Sequence, residues 1–147
     1  MKTTHLIGRI LFGGFFLYSG IHHLTSKREM AQYAGSKSVP LPDRAVELTG
    51  IMLLIGGSSV LLGLKPKVGL AAIAAFLVSI SPVMHNFWAS EDPGEKQNQM
   101  INFMKNLALL GGALALTGAE EPWPASVPLK GRQLARIGKS ITRALAA

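Results

Sequence analysis

The stretch 44–88, RAVELTGIMLLIGGSSVLLGLKPKVGLAAIAAFLVSISPVMHNFW, decides the fold. It holds two apolar blocks, Arg44 to Leu64 and Val68 to Trp88, separated only by Lys65, Pro66 and Lys67. A helix rises about 1.5 Å per residue, so a block of about 20 residues crosses a hydrocarbon core of about 30 Å. Apolar side chains occupy every face of both blocks, as in the runs 51–55 (IMLLI) and 70–78 (LAAIAAFLV), and neither block keeps a face for water. So short a connection forces the two helices to lie antiparallel. Working outward, Leu6 to Leu24 and Met100 to Gly118 repeat the pattern. The sequence therefore predicts an all-α integral membrane protein. Its core is a four-helix bundle of antiparallel up-down topology, with spans over about residues 6–24, 44–64, 68–88 and 100–118.

Composition agrees. Of 147 residues, 48% are hydrophobic and 16% charged, and mean hydropathy is +0.31, whereas soluble domains average about a quarter charged residues. A soluble bundle of such helices would have almost nothing left to face solvent. A secretory signal over the first block is disfavoured by the lack of a small-x-small cleavage site and by His22 and His23 at its end. The absence of cysteine excludes a disulfide framework, thiolate metal sites and dithiol chemistry carried by this chain. No Gly-rich phosphate loop, HExxH or nucleophile elbow is present, and no metal site is expected.

The formal charge of +7 would suggest nucleic acid in a soluble protein, but here the basic residues lie beside the membrane, and no nucleic-acid partner is expected. Lys2, Lys65, Lys67, Lys130, Arg132, Arg136, Lys139 and Arg143 fall on one side, against Lys27, Arg28, Lys37 and Lys96 on the other. That asymmetry places both termini in the cytoplasm. Trp88 and Trp123 fall at helix ends, where amphipathic rings favour the headgroup level. The longer connection, Thr25 to Asp43, has room for a short interfacial helix before Pro40. Residues 1–118 form the membrane domain, and 119–147 a Pro-containing linker with a basic tail. In that tail Leu134, Ile137, Ile141 and Leu145 share a face, which suits either an amphipathic interfacial helix or a solvated tail.

Ionisable and amide side chains inside spans are the informative residues, because each costs about 2.5–3.5 kcal/mol at a helix centre. His22, His23, Glu47, His85, Asn86, Lys105 and Asn106 are expected in one layer toward the outer leaflet, with Asn102 beside them and Arg9 apart at the cytoplasmic side. Lys105 is the expected counter-ion of Glu47. The pair reads as a structural ion pair, as a proton or substrate site, or as side chains snorkelling to the interface. His85 suits a quinone oxygen, a metal, a porphyrin-type magnesium or an ordinary interfacial hydrogen bond. His22 and His23 are adjacent on a helix and cannot chelate one ion from the same face. Arg9 is expected to snorkel to phosphates or to cap a neighbouring helix.

The chain resembles the DoxX family of small four-helix membrane proteins. The resemblance rests on Gly8-Arg9, the run 15–20 (FFLYSG), Pro40-Leu41-Pro42, Glu47, Gly56-Gly57, the run 85–88 (HNFW), and Gln99 with the run 103–112 (FMKNLALLGG). One departure is His23, where family members usually carry lysine. The resemblance implies an integral subunit of a redox or respiratory assembly in the bacterial inner membrane, associated with other membrane subunits. It brings no intrinsic cofactor, and a quinone is the associated carrier. On that expectation Glu47, His85 and Lys105 carry the chemistry, and His85, Asn86, Lys105 and Asn106 contact the quinone. The alternative is a non-catalytic accessory subunit of a larger bioenergetic complex, in which the same polar layer is architectural.

Overall fold

The structure, a computed structural model, describes residues 2–127 and Arg143; the remainder of the basic tail lies outside the described residues. The described residues are helical, with no strand: α1 (Lys2–Thr25), α2 (Lys27–Ser36), α3 (Pro42–Leu62), α4 (Pro66–Met84), a 3-10 turn (Phe87–Ala89) and α5 (Pro93–Thr117). By length and composition α3, α4 extended through the 3-10 turn, and α5 can each cross a membrane, and the chain is a multi-pass membrane protein. α1 has the length at 24 residues, but His5, Arg9, His22 and His23 dilute its apolar character.

Helix ends follow local chemistry, and several differ from the apolar blocks. α3 begins at Pro42, whose fixed φ suits a first turn, and stops where Gly63 takes φ 68°. There the Leu64 N–H donates to the Ser59 carbonyl at 2.9 Å. α4 ends at Met84, four residues before the expected limit at Trp88, so His85 caps the helix and is not part of it. α5 begins seven residues before Met100, because Asp92 accepts the Glu95 N–H at 2.6 Å and Pro93 opens the first turn. Lys105 and Asn106 therefore sit at the middle of α5.

α1 and α3 form the tightest pair. Gly13 and Gly20 on α1 face Gly57 and Gly50 on α3, antiparallel and at equal seven-residue spacing. A Cβ at Gly20 would lie 2.6 Å from the Leu54 backbone nitrogen, and one at Gly13 would lie 2.7 Å from that of Leu61. Only glycine permits this approach, and in lipid such close van der Waals contact is the main force between helices. α4 packs on the other side of α3, with Gly69 against Gly56 and Ser59. Phe16, Leu53, Val60, Leu70, Ile73 and Leu77 fill the centre. α5 leans on α4 and buries only Gln99 and Ala113.

The end of the bundle that carries the N-terminus is closed by the segment following α5. Arg9, 2% exposed, donates to the carbonyls of Pro124 at 2.8 Å and Ala125 at 3.2 Å. Trp123, also 2% exposed, meets the His5 ring edge-on at 4.9 Å, and the Val127 N–H donates to the Leu62 carbonyl at 3.0 Å. Two expectations are corrected here. Arg9 does not snorkel: the folded-back 119–127 segment offers it carbonyls inside the protein. Trp123 is a core residue and not a headgroup anchor, because that same segment inserts its ring between the helices.

Candidate functional site

The opposite end of the bundle, where α2 lies, holds an apolar cavity of about 430 Å³. Short α2 positions its rim. Ala31 and Ala34 pack on Val46 of α3, which turns Glu29 and Tyr33 toward the cavity. The walls are Phe15, Phe16 and Ser19 of α1, Thr49 of α3, Phe76, Leu77 and Ile80 of α4, and Asn106 and Leu109 of α5. Two histidines face this space, His23 from the end of α1 and His85 from the end of α4.

Their hydrogen bonds fix their chemistry. The His23 Nδ1 lies 2.8 Å from the Ser19 carbonyl, which only accepts, so Nδ1 carries the proton and Nε2 is left with a lone pair. The His85 Nδ1 lies 2.9 Å from Oε1 of Gln99, giving the same tautomer. The Gln99 amide then donates to the Tyr33 hydroxyl at 3.4 Å, so α4, α5 and α2 are tied across the cavity's polar end. Gln99 is 6% exposed, and this bridge satisfies an amide that would otherwise be buried without partners. Both imidazoles, in their neutral forms, can accept a proton or a hydroxyl hydrogen bond at Nε2.

The expected polar layer is only partly assembled. His23, His85 and Asn106 line one cavity. Glu47 does not join them: it is exposed and pairs with Lys27 at 2.6 Å. Lys105 is exposed on α5 and is not the counter-ion of Glu47. The reason is α2, whose first residue, Lys27, is placed beside Glu47 by the tight Ser26 corner. His22 is exposed, with its Nδ1 3.4 Å from the Ser26 hydroxyl and its ring stacked on Tyr18. Asn86 lines a separate polar hollow with Lys37, Glu91 and Glu95, closed on one side by the Lys37–Glu95 ion pair at 3.3 Å. Asn102 donates within its own helix, to the Asn98 carbonyl at 3.0 Å. Among the described residues no three histidine or acidic side chains gather as metal ligands would.

The sequence pattern does not single out Tyr33, Glu29 or Ser19 as site residues, and Gln99 enters it only through the family resemblance. The usable signal was weak: Glu29 and Tyr33 stand four residues apart, on one face of the short helix the connection had room for.

Comparison with known proteins gives one result of substance. The family model described as DoxX matches residues 4–86, more than half of the chain, and ends at Asn86, before α5 begins. No curated protein matches the chain, and no solved structure does.

Proposed function

The chain belongs to the DoxX family, and from that premise we propose that it is an integral subunit of a redox assembly in the bacterial cytoplasmic membrane. Its α2-end cavity holds the ring of a quinone-type carrier in the outer leaflet, and both termini face the cytoplasm. The observation that carries this reading is the pair of cavity histidines, each with Nδ1–H committed to the protein and Nε2 left as an acceptor. Acceptor nitrogens suit the hydroxyl groups of the reduced, quinol form, and a protonated imidazole suits the carbonyl of the oxidised form.

The residues present fit such a group. A cavity of about 430 Å³ lies within the range of small-molecule sites, about 300–1,000 Å³, and has the usual make-up of apolar walls with a few placed polar groups. A quinone-type carrier supplies two-electron chemistry coupled to protons. The chain itself accepts hydrogen bonds or protons at His23 and His85, keeps the His85 ring oriented through Gln99 and Tyr33, and excludes water with Phe15, Phe16 and Phe76. Glu29, exposed at the rim, takes the proton-relay role that Glu47 was expected to fill. A partner subunit would supply the redox centre that exchanges electrons with such a carrier.

The test is purification of the full chain in mild detergent, with mass spectrometry and absorption spectroscopy for a lipid-soluble quinone and titration with a decyl-chain benzoquinol. Binding is expected, with His85→Ala weakening it by about tenfold, equivalent to about 1.4 kcal/mol. A quinone-free protein that fails to bind the added quinol overturns the reading.

A further inference from the structure

We propose that the cavity is loaded sideways from the bilayer, through a slot between α1 and α5, and that its ligand is a membrane-dissolved molecule with a polar ring and an apolar tail. This rests on reading the cavity as a carrier site. Phe15 of α1 lines the cavity and is at the same time 51% exposed, so the cavity reaches the protein surface on this apolar flank, in addition to the α2 end, where the lining residues Glu29 and Tyr33 are exposed. Leu109 of α5 is the opposing wall. Toward the N-terminal end the slot is closed by Phe12, whose ring would lie 3.3 Å from a Cβ at Gly112. Toward the α2 end it is bounded by the Gln99–Tyr33 hydrogen bond and the Lys37–Glu95 ion pair, which tie α2 to α5.

The surface around the slot is lipid-facing: Leu11 and Tyr18 on α1, and Ile101 and Met104 on α5, are all exposed apolar or aromatic side chains. Polarity inside the cavity runs in the same sense as in a leaflet. His85, Tyr33 and Glu29 stand at the α2 end, and Phe15, Phe16 and Leu109 lie deeper. An amphiphile therefore moves in without turning over, its polar ring staying at the same depth. At about 430 Å³ the cavity holds a ring but not a long chain, so a tail leaves between Phe15 and Leu109 and stays in hydrocarbon.

The cysteine-free chain makes the test direct. A bimane label is placed at Thr49→Cys in the cavity and at Leu11→Cys on the lipid-facing surface, each in the full chain reconstituted into phosphatidylcholine vesicles. Quenching by brominated-chain phosphatidylcholine is compared with quenching by iodide in the water. Brominated lipid is expected to quench the cavity label more strongly than iodide does, with Leu109→Phe cutting the lipid quenching by about half through narrowing of the slot. Quenching by iodide alone, or by neither agent, overturns the proposal. Ser19→Cys repeats the measurement if Thr49→Cys fails to fold. In the same vesicles the decyl-chain benzoquinol is expected to bind about tenfold more tightly than its tailless ring at matched aqueous concentration. Equal or weaker binding of the tailed form overturns the tail's placement. If neither binds, the quinone reading fails, and the brominated-lipid result still decides the slot.

Discussion

At the end of the bundle where the chain starts, Arg9, His5 and Trp123 are packed under a returning segment, and Arg9 finds its partners in the carbonyls of Pro124 and Ala125. At the α2 end His23 and His85 also make hydrogen bonds to the protein, but each commits only one ring nitrogen and turns toward a cavity. Both ends place costly polar groups in a membrane protein. The first packs them under the returning segment, where His5 Nε2, Arg9 Nε and Trp123 Nε1 stay buried without partners among the described residues and without a cavity to serve, and the second turns the free nitrogens of its histidines toward open space. Reserved capacity beside open space, more than polarity in a span, distinguishes a site from a fastening.

The contrast can be broken most forcefully at the closed end. Trp123→Ala removes a fully packed ring and is expected to lower stability by about 3–5 kcal/mol, read as a lower melting temperature in detergent. Quinol binding by the fraction still folded should be unaltered; a matching loss of affinity would show that the two ends are one unit. Next in size is Gly57→Leu, at the α1–α3 seam on which both ends depend. Overpacking there is expected to destabilise by about 1–3 kcal/mol or to prevent folding, and a variant of unchanged thermal stability would refute the described seam. Gln99→Leu tests the open end alone. Loss of the bridge between His85 and Tyr33 should reduce stability by only about 1 kcal/mol and weaken quinol binding, whereas wild-type affinity would mean that the bridge positions nothing. The smallest effect is expected from Glu47→Gln. An exposed carboxylate paired with Lys27 should change neither melting temperature nor binding measurably, and a large loss in either would restore Glu47 to the machinery.

Length and all-round apolarity were enough to read α3, α4 and α5 as membrane helices, because apolar blocks of this size have few other destinations, whereas α1, expected as a fourth span, has the length but not the apolar character of the other three. Their limits were less legible. Gly63 and Asp92 act through cap geometry, so α3 stopped short of its apolar block and α5 started ahead of one. The candidate site was legible for His23, His85 and Asn106, which are polar where apolar residues are expected. It was misread for Glu47 and Lys105, since opposite charges at similar depth suggest a pair but carry no information on which faces meet.

Hydropathy acts residue by residue along the chain, so the sequence alone determined a multi-pass helical protein and singled out its anomalous polar residues. Which of those residues share a cavity depends on the rotation of each helix about its axis. That rotation is set by the glycine contacts between α1 and α3, by the Ser26 corner that brings Lys27 to Glu47, and by the segment held over Arg9. These are contacts between residues distant in the chain, and only tertiary packing decides them.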